Sequence, residues 1–302
     1  MGKPLVSVLI PAVGNYIYLE LALTSVLLQT YTNIEIIIRD PSPTDNIQIL
    51  LEKDFLPYSN KITYIRDNKY MSKLNILQEL LRVSNGTYIN FLMEDDLFYP
   101  TKIEKMMDYF LKDVKNPVKL VTSYTDSIDM HGDLITPRNG IGEVYKTDMQ
   151  WDSIVSSNFI LKNKDYVGGL SVPLFRKQDL IQPFGYFAGH QFIKETAMAS
   201  WLTLVTQGSL VLIAEELTFE RKNLNHQKYK IEVDLITDWI NVIKLTKQNS
   251  FIINKDTENY LIQKILGWIN HLLLRKQNIL TMIERETIQE YKEYLYVLQT
   301  MD

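Results

Sequence analysis

The sequence predicts an α/β protein built on a mostly parallel sheet with helices on both faces, and two observations carry that prediction. Over the first hundred residues, strand-like runs alternate with stretches of helical apolar spacing, the order that right-handed crossovers produce. One run, Tyr88-Ile89-Asn90-Phe91-Leu92-Met93, follows the turn signal Asn85-Gly86 and stops at adjacent carboxylates, Glu94-Asp95-Asp96, ahead of Pro100. Ligands of open α/β sheets bind at the carboxyl ends of strands, so these acids stand where a divalent cation carrying a diphosphate would sit. A solvated acidic turn is the competing reading of the triplet taken alone.

In order, Leu5-Val6-Ser7-Val8-Leu9-Ile10 reads as a strand, and Tyr16 to Leu28 as a helix through Leu19, Leu21, Leu23, Val26 and Leu27. Ile34-Glu35-Ile36-Ile37-Ile38 is β-branched, the Pro-rich stretch Asp40 to Asp45 is a loop, and Ile47 to Phe55 is a short helix. Ile62-Thr63-Tyr64-Ile65 is a strand and Ser72 to Val83 a helix, which leads into the central strand. After Pro100, Lys102 to Leu111 is amphipathic, Val118 to Tyr124 is a strand, and Asp129-Met130-His131-Gly132-Asp133 is a hairpin turn. Pro137 to Asn163 is irregular, as loops that cover a site are. Gly168-Gly169 marks a close backbone approach before an edge strand ending near Arg176; helical spacing then runs from Gln191 to Thr206, and Ser209 to Ala214 is a strand. Beyond His226 the composition changes, and Ile231 to Lys247, Glu258 to Leu274 and Ile283 to Leu298 read as amphipathic helices. A catalytic domain over 1–228 and a helical extension over 229–302 are expected, with the extension packing on the main domain or pairing two subunits.

Composition narrows the function. With 302 residues, 46% hydrophobic and 23% charged, the chain can bury a sizeable core, and its net charge of −4 argues against general nucleic-acid binding. The absence of cysteine excludes disulfides, thiolate metal sites and a Cys nucleophile, and fits a reducing cytoplasm. No apolar stretch approaches the roughly 20 residues that span a bilayer. A cytoplasmic location is therefore expected.

Ser7-Val8-Leu9-Ile10-Pro11, the helix Leu21 to Tyr31 and Asn33-Ile34-Glu35-Ile36-Ile37 resemble the amino-terminal signature of family 2 glycosyltransferases. Glu94-Asp95-Asp96 with Pro100 resembles that family's metal-binding DxD region, and the resemblance runs from about Leu5 to His226. It implies the GT-A fold, a Rossmann-like sheet flanked by helices, here with an α-helical C-terminal extension. It also implies a UDP-sugar donor, a glycan or glycoprotein acceptor, and Mn²⁺ or Mg²⁺. Pro11, Ala12, Val13 and Asn15 would border the nucleotide, although the family's usual Thr-Tyr-Asn after the proline is absent and Tyr16 is displaced. Asp40 would contact uracil or ribose; Arg66 or Lys73 would supply positive charge, because the family's Arg-Asn has become Leu74-Asn75. Met93 replaces the first acid of the DxDD spelling, which leaves Asp96 for the cation, Asp95 for ribose or a metal-bound water, and Glu94 as structural.

Inverting transfer needs a base to take the acceptor's hydroxyl proton. By the same resemblance Glu195 is that base, following Gly185 and preceding Trp201, with solvation on a helix surface as the competing reading and His190 as second choice. Arg221 or Lys222 would pair with phosphate, and His226 would complete the cation's coordination; a lone histidine is otherwise structural. Trp151 and Trp201 suit either sugar stacking or core packing. A dTDP-rhamnose donor fits the altered base motif as well. Two other classes compete: a nucleotidyltransferase, which would want a basic, Gly-rich loop after the first strand, and a non-catalytic binding or assembly module.

Overall fold

The computed structural model describes residues 2–67, 71–113, 117–135, 144–222, 231–248, 253–275 and 280–300. Strand β1 (Val6–Pro11) is buried along its whole length, as a strand covered on both faces must be. It pairs in parallel with β2 (Ile34–Asp40) on one side and β4 (Tyr88–Phe91) on the other, and β2 pairs in parallel with β3 (Ile62–Arg66). The crossovers are α1 (Tyr16–Leu27), α2 (Asn46–Asp54) and α3 (Lys73–Val83), with Asn15 and Ser72 capping α1 and α3.

After β4 the chain adds β5 (Leu97–Phe98), α4 (Lys102–Lys112), β6 (Val118–Ile128), β7 (Met149–Trp151), α5 (Ser153–Lys162), α6 (Lys164–Val167) and β8 (Leu174–Arg176). Then come β9 (Tyr186–Phe187), β10 (His190–Gln191), α7 (Thr196–Val205) and β11 (Ser209–Arg221). The main sheet runs β3-β2-β1-β4-β8-β6-β11-β5, with β7 on β11, while β9 and β10 form a small hairpin.

Several elements depart from the expectations. The strand before Arg176 is not an edge: β8 lies antiparallel between β4 and β6. Pro173, which has no N–H to give, stands just outside it, so the ladder is unbroken. The irregular stretch holds β7 and α5, the latter obscured because it buries Ser156, Ser157 and Asn158 beside Ile160 and Leu161. Residues 136–143 of that stretch lie outside the described set. Helix α7 begins at Thr196 rather than near Gln191, and β6 and β11 extend past their apolar cores to Ile128 and Arg221.

Alternation along the strands splits the core in two. Val8, Ile10 and Ile36 face one cluster with α1, α2 and α4, whereas Leu9, Ile37 and Ile89 face another with α3 and α7. The second cluster continues into α8 (Val233–Gln248), α9 (Lys255–Arg275) and α10 (Met282–Thr300) through Trp239, Ile243, Ile265 and Leu295. The C-terminal helices therefore complete the core of the sheet domain, with Trp239 fully buried.

Candidate active site

A cavity of about 630 Å³ opens at the carboxyl ends of β1, β2 and β4. Its walls come from Pro11 and Val13, from the loop Pro41-Ser42-Pro43, from Lys73 and Ile76 of α3, from Met93 to Asp96, and from Glu220 to Lys222 at the end of β11. A second cavity of about 340 Å³ is lined by Lys164, Glu195, Met198 and Trp201. Gly169, Glu220 and Lys222 belong to both, so the cavities adjoin across one wall.

The acids at the end of β4 have separate tasks, as alternation along extended chain requires. Glu94 turns away and accepts the N–H groups of Val13, Gly14 and Asn15 at 2.7, 3.3 and 3.2 Å, which shapes the loop between β1 and α1. Burial pushes its carboxyl above the usual range, against the pull of those N–H groups. Asp96 is 7% exposed; its Oδ2 accepts the Ser171 hydroxyl at 2.5 Å and its Oδ1 the Arg221 N–H at 3.1 Å. Burial, with Asp95 beside it, pushes the Asp96 carboxyl up to about 7.

Pro11, Val13, Lys73, Asp95, Asp96 and Arg221 thus share one cavity. The other residues expected at the nucleotide stand behind its walls. Ala12 is fully buried, with its N–H on the Arg39 carbonyl, and Asn15 is spent as the cap that accepts the Tyr18 N–H. Asp40 is wholly buried and receives Ser42 N–H, Ser42 hydroxyl and Tyr64 hydroxyl, so it shapes the 41–43 loop and offers no carboxylate to the cavity. Arg66 is drawn off to Asp45, Gln48 and the Thr44 carbonyl. Arg221 lines the cavity but donates to the Asp95 and Asp129 carbonyls and packs 4.3 Å over the Tyr18 ring. His226 lies outside the described residues.

Among the described residues, no three His, Cys, Asp or Glu side chains form a ready-made metal cage. A cation that takes most of its ligands from substrate phosphates and water needs only one or two carboxylates. Asp95 and Asp96 meet that smaller requirement: burial first, and the Asp95 charge second, raise the Asp96 carboxyl, and both oppose a bare negative charge there that a cation would neutralise.

Glu195 is 5% exposed, not solvated on a helix face. Its Oε1 accepts the Lys164 ammonium at 2.6 Å and the Trp239 indole N–H at 3.1 Å. Trp201 lines the second cavity while packing edge-on to Phe175 and Phe184, and Trp151 packs on Phe159. His190 is exposed and lies 2.9 Å from the Asn241 amide.

Sequence reasoning missed Ser171, which ties Asp96 to the Met93 N–H, and Lys102, whose buried amine, its pKa driven down by burial, donates to the Val172 carbonyl at 2.6 Å and Thr218 at 2.8 Å. It also missed Asp238, which receives the backbone ahead of Glu195. Asp238 does leave a trace: with Leu235 and Val242 it falls on the apolar stripe of its helix, where an acid needs a partner.

The sequence and the fold both have counterparts among known proteins. Residues 7–152 match Glycosyl transferase family 2. An uncharacterized glycosyltransferase of Rickettsia conorii is 33% identical over 129 residues, covering 42% of this chain and 20% of its own length. Chondroitin synthase of Escherichia coli is 28% identical over 157 residues, 52% of this chain and 22% of that protein. The glucosyltransferase WfgD of Escherichia coli, named as using UDP-Glc, is 22% identical over 76% of this chain and 83% of its own. The chain spans a fifth to a third of the length of the first curated relatives it matches. Staphylococcus aureus TarS 1–349 in complex with UDP-GlcNAc superposes with a TM-score of 0.63 at 13% identity, over 95% of this chain and 79% of TarS 1–349. Sequence match and sheet order agree: residues 7–152 belong to the family 2 glycosyltransferases, and the described chain has the GT-A fold of TarS.

Proposed function

We propose that this chain is a metal-dependent, inverting glycosyltransferase that moves a hexose or N-acetylhexosamine from a UDP-sugar to a glycan acceptor, in the synthesis of a surface polysaccharide or an adhesin glycoprotein. One observation carries the reading: an acid-edged cavity and a cavity holding a buried carboxylate adjoin across Gly169, Glu220 and Lys222. The UDP-sugar follows by analogy with the donor named for WfgD and the ligand of TarS. No helix among the described residues is long and apolar enough to cross a membrane.

In this reading the nucleotide lies in the larger cavity between Val13, the 41–43 loop and Lys73, with the diphosphate toward Asp95 and Asp96. Mn²⁺ or Mg²⁺ bound there supplies Lewis-acid charge against the departing diphosphate. Lys222, paired with Glu220 at 2.7 Å on the shared wall, stands beside the bond that breaks. Glu195 takes the acceptor's hydroxyl proton as that oxygen bonds to the anomeric carbon, and the old carbon–oxygen bond leaves with UDP. Attack on the anomeric carbon from the second cavity, opposite a leaving group held in the first, inverts that carbon.

A donor panel scored by nucleotide release, with and without Mn²⁺, tests this. UDP release that requires acceptor, Mn²⁺ and Glu195 is expected. Pyrophosphate release would replace it with nucleotidyl transfer, and nucleotide binding without any turnover would leave a binding module.

A further inference from the structure

The turn that carries Glu195 is held from the C-terminal helices. Consecutive N–H groups at Ile193, Lys194 and Glu195 converge on Asp238 of α8: Ile193 at 3.1 Å from each carboxylate oxygen, Lys194 at 2.7 Å and Glu195 at 2.9 Å from Oδ2. A carboxylate seated in such a nest of N–H groups fixes the backbone around it. The next residue of α8, Trp239, donates its indole N–H to Glu195 Oε1 at 3.1 Å. Neighbouring residues of one helix thus hold both the main chain and the side chain of Glu195. Asp238 and Trp239 are 1% and 0% exposed, and neither lines either cavity.

Helix α7 has no side-chain cap hydrogen bond at its N-cap residue Glu195, whose carbonyl accepts the Ala199 N–H at 2.9 Å. The support comes from 43 residues downstream. A base loop anchored this way keeps its direction only while α8 is docked. Misplacement of a reacting group by about 1 Å can cost on the order of 100-fold in rate.

We propose that Asp238 and Trp239 are positioning residues for the transfer step, which makes α8 part of the catalytic apparatus. The inference rests on Glu195 being the base. The charged groups around that carboxylate are Lys164 from α6, Asp238 from α8, and Glu220 and Lys222 across the second cavity, with Lys264 of α9 4.1 Å over the Trp239 ring.

Asp238→Asn and Trp239→Phe in the full chain test it, because Phe keeps most of the packing and removes only the N–H donor. Asp238→Asn is expected to lower kcat by about 10- to 100-fold. Its donor KM and UDP affinity by calorimetry stay within about twofold, since nothing at the donor cavity has moved. Trp239→Phe is expected to lower kcat by about three- to tenfold with donor KM unchanged, because the lost N–H no longer orients the Glu195 carboxylate. If both variants fold and keep kcat while Glu195→Gln loses transfer, positioning is overturned and the base assignment stands. If Glu195→Gln keeps transfer, the base assignment falls and takes this inference with it. Should Asp238→Asn fail to fold, Trp239→Phe decides by its split of kcat from donor KM: an unchanged kcat overturns the inference.

Discussion

Ser171 donates its hydroxyl to Asp96 Oδ2 at 2.5 Å and accepts the Met93 N–H at 2.9 Å, so one buried side chain fixes both ends of the acidic turn. Ser171→Ala leaves the Met93 N–H without its acceptor and frees the Asp96 carboxylate to rotate. An abandoned buried donor costs about 1–3 kcal/mol. Urea unfolding should show a loss of that size, and calorimetry with Mn²⁺ and UDP should show weakened, not abolished, binding. Unchanged stability and affinity would mean that the turn holds itself.

The pH dependence of the same carboxylate has a definite sign. Burial and the neighbouring Asp95 push Asp96 up to about 7, whereas an unfolded Asp titrates near 4. Between those values the folded protein binds the extra proton. This stabilising contribution is therefore full below about pH 4 and is lost as pH rises through about 7. Glu94 and Asp238, also raised chiefly by burial, act in the same direction. Metal-free protein should lose more Tm between pH 5 and pH 8 than the Asp96→Asn variant, which carries no such proton. Below pH 7 a cation must displace that proton, so Mn²⁺ affinity should weaken by up to about tenfold per pH unit.

Glu94 is the counterpart of Asp238: each is a buried carboxylate that receives consecutive N–H groups from another part of the chain. The two walls they hold differ. Glu94→Ala removes the acceptor for Val13, Gly14 and Asn15 and loosens that loop, so donor KM should rise about tenfold or more, while acceptor KM stays put. A Glu94→Ala enzyme with an unchanged donor KM would show that the loop does not contact the nucleotide.

What the sequence discloses depends on range. The β1-α1 unit and the strand ending at Glu94 are legible because local apolar period specifies them, whereas Glu195 is reached only through the family resemblance and its place ahead of α7 only through the structure. Helix α5 escapes notice because its buried face carries Ser156, Ser157 and Asn158, and β8 because three residues after Pro173 take a central place only once β4 and β6 flank them. Asp40 and Arg66 have the chemistry of a nucleotide site, but a hydroxyl from Tyr64 and an ion pair with Asp45 claim them first. Those partners lie on separate segments. The roles of Ser171 and Asp238 depend on contacts across 75 and 43 residues, beyond any local pattern.

Gly168 separates the wall from the turns on either side of it. Its φ of +81° is one that side chains resist, and a Cβ there would sit 2.4 Å from Val172 Cγ2. The chain that follows places Gly169 on the wall common to both cavities and Ser171 against Asp96. Gly168→Ala must therefore shift Val172 or the loop itself, and the left-handed conformation alone costs roughly 1–2 kcal/mol. Because the displaced segment borders both cavities, KM should rise for donor and acceptor together. That signature differs from Glu94→Ala, which acts on donor, and from Asp238→Asn, which acts on kcat. Steady-state kinetics with each substrate varied in turn distinguishes the three, and a Gly168→Ala enzyme with only one KM altered would show that the cavities do not share this wall during turnover.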